Sequence, residues 1–264
     1  MQSTQELFGA LDVPLAWVVV NRPAARNALN LGVWRGLAEQ MRTLGARPEV
    51  RVVIIRGAGE EAFLAGADIA EFPAMRADAA MTAQYDAVTA EALTAITELD
   101  KPVIAMINGL CFGGGCSVAL ACDLRFAADH ARFAVPAVRL GLAYPFTLGV
   151  ERLVQVVGPT HAADVLLSGR AVDAAEALRM GLLNRTVPRE NLETVTRDYA
   201  LRLAEGAPLS LAAHKAAIQE ALRAATERDR ERVRVMAARC FDSADYQEGV
   251  AAFLAKRKPE FRGR

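Results

Sequence analysis

Apolar residues change spacing along this 264-residue chain, and those changes divide it into elements. Leu15 to Val20 is an unbroken apolar, β-branched run ending at Asn21-Arg22-Pro23, which reads as a buried strand and its turn. Leu31, Trp34, Leu37, Met41 and Leu44 then recur at three- and four-residue steps, predicting a helix over 30–44. Val50 to Arg56 is a second strand, stopped by Gly57-Ala58-Gly59. From Ile69 an alanine-rich helical pattern extends to about Leu99, where Lys101-Pro102 breaks it. Val103 to Ile107 is a third strand, followed by a glycine-rich turn, a helix from Gly115 to about Ala121, and strand character again over 123–127. After Val157 the pattern turns helical, with a start at Gly158-Pro159, a strand-like piece over 184–187, and amphipathic stretches from Leu192 to Lys258.

Strands alternating with helices predict an α/β fold with parallel pairing. The expected organisation is a core over residues 1–200, with a helical region over 201–264 that packs against neighbours.

Composition narrows the function classes. A 53% hydrophobic and 23% charged chain is that of a folded globule. Thirty-one basic residues balance thirty-one acidic ones, so no global field draws in nucleic acid or an anionic membrane. Cys111, Cys116, Cys122 and Cys240 form no C-x-x-C pair and no zinc-ligand spacing with His130, His161 and His214, so no metal is expected and the thiols are expected reduced. The N-terminal stretch MQSTQELFGALDVP lacks the pattern of a secretory signal, and no apolar run reaches the ~18 residues of a membrane helix. These features make a cytoplasmic location the expectation.

The chemistry concentrates in two glycine-containing turns. In 100–117, DKPVIAMINGLCFGGGCS, a buried strand runs through three consecutive glycines into a helix. Glycine permits positive φ and leaves space beside the backbone, and the first turn of a helix presents unpaired N–H groups at its positive end. Such a turn binds an oxyanion; the alternative is that the glycines only let the helix pack closely on the sheet. A P-loop lysine and G-x-G-x-x-G spacing are both missing, which argues against nucleoside triphosphate and dinucleotide binding. In Phe63-Leu-Ala-Gly-Ala-Asp-Ile-Ala-Glu-Phe72, the small residues Ala65, Gly66 and Ala67 precede a helix, and Asp68 with Glu71 has the form of a capping box. Two such openings suggest a pair of N–H donors converging on one oxygen.

These segments, with Asn21-Arg-Pro-Ala-Ala-Arg-Asn-Ala-Leu-Asn30, Ala121-Cys-Asp-Leu-Arg125 and Ala174 to Val187, resemble the enoyl-CoA hydratase/isomerase, or crotonase, superfamily over nearly the whole chain. The resemblance implies a spiral of ββα units with a helical C-terminal region used for assembly into a homotrimer or dimer of trimers. It implies an acyl-CoA substrate, with coenzyme A part of the substrate and no separate cofactor. It puts the oxyanion donors at the N–H groups of Ala67 and Gly114, beside Gly113. It assigns CoA contacts to Ala25, Arg26, Ala28, Ala65, Asp68 and Ile69, with Lys256 or Lys258 of the basic C-terminal helix as phosphate contacts. For Arg26 a surface ion pair is the competing reading, and for the C-terminal lysines a solvated basic cluster.

The chain departs from the hydratase pattern where the family carries two glutamates: Ser117 and Ala137 stand there. Alanine cannot move a proton, and serine without a partner base is a poor general base. Hydration by paired carboxylates is therefore not expected. The remaining reactions pass through an enolate, with decarboxylation or thioester hydrolysis, and a non-catalytic CoA-binding role, as alternatives. The loop Leu140-Gly-Leu-Ala-Tyr-Pro-Phe-Thr147 resembles that of the family's methylmalonyl-CoA decarboxylases and puts Tyr144 forward as an acid, against a reading as a passive pocket wall. Ser117 is a candidate to position water or a substrate oxygen, and Arg139, expected on a strand, to recognise a carboxylate. Glu71 and Glu91 lie on segments expected to border the acyl pocket.

Overall fold

The computed structural model describes residues 5–264, apart from the side chain of Leu148. In chain order it forms β1 (Leu7–Asp12), β2 (Leu15–Val20), α1 (Leu31–Gly45), β3 (Val52–Gly57), β4 (Ala62–Leu64), α2 (Phe72–Met75) and α3 (Ala79–Thr97). There follow β5 (Val103–Ile107), β6 (Leu110–Phe112), α4 (Gly114–Ala121), β7 (Leu124–Ala128), β8 (Arg132–Ala134), α5 (Arg152–Ser168), β9 (Val172–Asp173), α6 (Ala174–Arg179) and β10 (Arg185–Val187). Helices α7 (Leu192–Ala204), α8 (Pro208–Leu222), α9 (Arg230–Phe241) and α10 (Ala244–Leu254) complete the chain.

The strands form two sheets, ordered β1-β2-β3-β5-β7-β10 and β4-β6-β8-β9. Apart from the antiparallel β1/β2 and β8/β9 pairs, neighbours run parallel. Consecutive strands go to different sheets: β3, β5 and β7 join the large sheet, and β4, β6 and β8 join the small one before the chain turns back through helix. This is a spiral of ββα turns, the architecture expected from the resemblance.

The unbroken apolar runs of β2, β3 and β5 follow from burial on both faces, since successive side chains of a strand alternate sides. Val53, Ile55 and Ala105 face the main core with α1 and α4, while Val52, Ile54 and Ile104 face a second core closed by Leu192 and Ala200 of α7. Helix α7 thus belongs with the sheet, and residue 200, the expected boundary, falls inside it. The helical region beyond comprises α8 to α10.

Helix α1 begins where its apolar stripe does. The Asn30 side chain accepts from Val33 N–H at 2.8 Å and donates to Glu6 at 2.7 Å, satisfying one free donor of the first turn. Asn30→Ala is expected to lower stability by about 1 kcal/mol, a fall in the thermal midpoint of roughly 2–4 °C for a chain of this size; an unchanged midpoint in a melting curve would show the cap to be redundant.

Several elements differ from the pattern-based expectation. The long helix expected from Ile69 to Leu99 is broken: a 3-10 turn (Ile69–Glu71) leads into α2, and α3 restarts at Ala79 with the Asp78 side chain accepting from Met81 N–H. Asp78 supplies a cap inside what reads as continuous periodicity. Strand β1 and the three-residue strands of the small sheet are too short or too polar to register as alternation. Gly158-Pro159 marks a kink, with Gly158 at φ 76°, inside α5. Arg139 lies on a 3-10 helix (Pro136–Leu140), not on a strand. The four cysteines are free thiols. Among the described residues, no helix is long and apolar enough to cross a membrane, and no group of three metal-binding side chains is gathered.

Candidate active site

Strands β4 and β6 are parallel neighbours, so the segments leaving their C-terminal ends emerge side by side. These are the two glycine-containing turns. Ligands of open α/β sheets bind beyond such strand ends. Gly66 takes φ +110° after β4, and Gly113 takes φ +47° as it caps α4 after β6, conformations costly for residues with a Cβ. A methyl group built on Gly114 would lie 3.5 Å from Ala67 N, and one on Gly66 would lie 3.8 Å from Gly114 N. The two amides are therefore neighbours. Leu29 N–H donates to Gly66 O and Asp68 N–H to Leu29 O, which holds the first turn in place, while neither Ala67 N–H nor Gly114 N–H finds an acceptor among the described residues. Gly114 is the first residue of α4, where the N–H has no partner within the helix and the dipole is positive. Two adjacent free donors can stabilise an oxygen that acquires negative charge.

These amides open onto a cavity of about 390 Å³. Ala65, Ala67, Ile69, Gly113, Gly114, Ser117, Ala137 and Tyr144 all line it, so the structure gathers most of the expected site. Ala25, Arg26, Ala28 and Asp68 do not line it, but their segment runs alongside, with Ala65 N–H donating to Arg26 O. Arg26, in a left-handed conformation after the 3-10 turn (Pro23–Ala25), pairs with Glu61 at 2.7 Å, both side chains largely exposed. Asp68 caps the turn after it by accepting from Ala70 N–H at 3.2 Å, and it pairs with Arg22 at 2.8 Å. The expected capping box is only half formed, because Glu71 accepts instead from Leu31 N–H at 2.8 Å. That contact and the pairing of Glu91 with Arg42 keep both glutamates out of the cavity wall. Arg139 is exposed and lies against Gly169, also away from the cavity. Lys256 follows α10 at φ +53° and lies outside the cavity wall; its neighbours Arg257 and Lys258 pair with Glu248 and Glu205.

Tyr144 sits in the loop between the 3-10 helix at 136–140 and a π-helical turn at 146–151. Its hydroxyl donates to Gly113 O at 3.0 Å and is 2.6 Å from Ser117 Oγ. With the phenol proton directed at Gly113 O, Ser117 is the donor to the phenol oxygen. Burial pushes the Tyr144 hydroxyl well above the ordinary tyrosine range, only partly opposed by the Ser117 hydrogen bond. The phenol stays protonated at neutral pH, a form that can donate a proton or a hydrogen bond but cannot accept a proton as a base.

Among the wall residues that the sequence did not mark as part of a site are Trp34, Arg76, Tyr85 and Asp86. Trp34 Nε1–H donates to Tyr85 OH at 3.2 Å, and burial raises the Tyr85 hydroxyl. The available signal is Tyr85-Asp86, large and polar in an alanine-rich helix. Asp86 is the one carboxylate lining the cavity among the described residues, and it is paired with Arg76 at 3.0 Å.

The family model of enoyl-CoA hydratase/isomerase matches residues 13–264. A crotonyl-CoA hydratase from Syntrophomonas wolfei is 36% identical over 247 residues, covering 94% of each chain. A carnitinyl-CoA dehydratase from Citrobacter koseri is 37% identical over 255 residues, covering 95% of this chain and 96% of its own. The crystal structure of an enoyl-CoA hydratase/carnithine racemase from Magnetospirillum magneticum superposes with a TM-score of 0.94 at 39% identity, covering 99% of this chain and 97% of that one. Two free amides at the ends of parallel strands, the ββα spiral that positions them and the match over nearly the full length agree: the chain belongs to the enoyl-CoA hydratase/isomerase family.

Proposed function

We propose that the protein is an enzyme of acyl-CoA thioesters working through an enolate, with the thioester oxygen held by Ala67 N–H and Gly114 N–H and with Tyr144 as proton donor. The observation that carries this reading is the combination of two free amides with a protonated phenol and no unpaired carboxylate in the cavity wall. As an enolate forms, by addition to the β-carbon of an enoyl thioester or by loss of carbon dioxide from the α-carbon, charge collects on the oxygen facing the amides, which hold their positions without reorganising. The Tyr144 hydroxyl then leaves Gly113 O and delivers its proton to the α-carbon, and Ser117 Oγ–H stays on the phenol oxygen as charge develops there. CoA contacts are assigned to the segments of Ala25, Arg26 and Ala28 and of Ala65, Asp68 and Ile69.

The same geometry favours a decarboxylase as the second reading. Loss of carbon dioxide from an α-carboxylated thioester yields the enolate without any base and then needs one acid, which matches a wall that offers Tyr144 and no free carboxylate. Thioester hydrolysis would require Ser117 to direct a water molecule, and its Oγ is engaged with Tyr144.

A homotrimer or dimer of trimers is part of the proposal, supported by the apolar groove among α8, α9 and α10, where Phe241 and Phe253 are largely exposed. Lys256 is assigned to a CoA phosphate reached across such a contact.

The test is turnover of crotonyl-CoA, methylmalonyl-CoA and a 3-enoyl-CoA by the purified protein; no reaction across a broad acyl-CoA panel would overturn the enzymatic reading in favour of CoA binding alone. On the active substrate, Tyr144→Phe is expected to lower kcat about 10²-fold with KM little changed. Since the acid form is the working one and its pKa is raised, kcat should show no alkaline loss from this group below about pH 10. An unchanged kcat in Tyr144→Phe would remove the residue from the mechanism.

A further inference from the structure

The cavity wall is mostly apolar, and Arg76 is the one cation in it among the described residues. Its position is fixed from several sides. The backbone N–H donates to Phe72 O at 2.8 Å, closing α2, and the guanidinium carbon stands 5.2 Å from the Phe72 ring centre and 4.8 Å from that of Tyr85. Rings at these distances hold a cation without meeting its in-plane hydrogen-bonding capacity. Of the five N–H donors of the group, one is used, from Nη2 to Asp86, while Nε is buried with no acceptor. An unmet buried donor costs about 1–3 kcal/mol.

The pair with Asp86 does not explain this placement. The Asp86 side chain is 50% exposed against 24% for Arg76, and an ion pair open to water on one side contributes only about 0–1 kcal/mol. A surface pair of that kind needs no site at a cavity wall. The wall also gives the guanidinium a definite relation to the reacting end. Trp34 lies against Gly114, 3.1 Å from a methyl built there; its Nε1–H bonds to Tyr85 OH, and the Tyr85 ring carries Arg76. The cation is therefore two side chains removed from the free amides.

We propose that Arg76 recognises a carboxylate at the far end of the acyl chain, so that the preferred substrates are CoA monothioesters of dicarboxylic acids. This rests on the reading of the cavity as an acyl-CoA site and names its substrate class. A carboxylate presented from inside the cavity meets the planar fork of the guanidinium, whose remaining donors can form a bidentate, charge-assisted pair. A terminal methyl at the same place would cover the guanidinium and return nothing, which sets the discrimination.

The experiment is calorimetric titration of the full-length protein with saturated thioesters matched in chain length: succinyl- against butyryl-CoA, glutaryl- against pentanoyl-CoA, and adipyl- against hexanoyl-CoA. At least one diacid is expected to bind about 10-fold or more tightly than its partner. Arg76→Leu is expected to erase that preference while leaving the affinity for the monoacid within about 2-fold. Arg76→Gln, neutral and polar, makes the same comparison should the leucine variant lose monoacid binding. Monoacids that bind as well as or better than every diacid, or a preference that survives both substitutions, would overturn the assignment and leave the acyl-CoA reading intact. Absence of binding by any of the six thioesters would overturn both.

Discussion

Gly114→Pro is expected to reduce kcat/KM on the active thioester by about 10²- to 10³-fold, the loss that follows removal of one oxyanion donor. The substitution removes a proton that the fold does not use: Gly114 N–H is the first amide of α4 and has no acceptor among the described residues. Proline is well suited to the first position of a helix, where its missing N–H has no intrahelical role and its fixed φ fits. A new Cβ at this position meets Trp34 Cζ2 at 3.1 Å and Leu29 Cδ1 at 3.3 Å, the outer atoms of two side chains. Gly114→Ala carries the same Cβ and keeps the N–H, so the ratio of the two variants removes the Cβ crowding and reports the loss of the donor together with the ring carbon that replaces its proton. Steady-state kinetics on both, with thermal midpoints as the control for folding, decide the matter. A proline variant as active as the alanine variant would show that this amide does not hold the thioester oxygen.

How much of this site was legible in the sequence depends on whether its groups belong to the backbone or to side chains. The two glycine-containing turns were legible because a backbone left open to a ligand needs small residues before a helix, while the placing of the donors at Ala67 and Gly114 came from the family resemblance. The large sheet was legible for a related reason: strands buried on both faces, such as Val52–Gly57, must be apolar throughout. The small sheet was not. Its strands β4, β6 and β8 are three residues each, too short for a period to show, and they are specified by the turns around them. The pair of Arg76 and Asp86 was hidden by the expectation of one helix from Ile69 to Leu99. Only the break at residues 76–78 turns Arg76 back onto α3 and over Tyr85. Tyr144 stood out as a polar side chain in an apolar loop, but its bond to Gly113 O joins residues 31 positions apart and has no local signature.

Gly109→Ala tests how far the site depends on the turn between the two sheets, and its expected effect on stability is the largest of the substitutions considered. Gly109 joins β5 to β6 at φ +79°, and a Cβ there would lie 2.0 Å from Glu61 O and 2.5 Å from Glu61 C. Both obstacles are backbone, so no side-chain rotation relieves the clash. The same carbonyl accepts from Leu110 N–H at 3.1 Å as the pairing of β4 with β6 begins. Strain at a positive φ and forced separation of two packed backbones together are expected to cost about 3 kcal/mol, or a fall of roughly 6–12 °C in the thermal midpoint. The separation falls between the strands whose far ends carry Gly66-Ala67 and Gly113-Gly114. Misplacement of about 1 Å between groups that must act together costs on the order of 10²-fold in rate. Turnover measured well below the lowered midpoint should therefore also fall, even though residue 109 lies outside the cavity wall. A midpoint within about 2 °C of the parent chain would mean that the turn relaxes freely, and the close backbone approach at Glu61 would then not be what holds the two amides together.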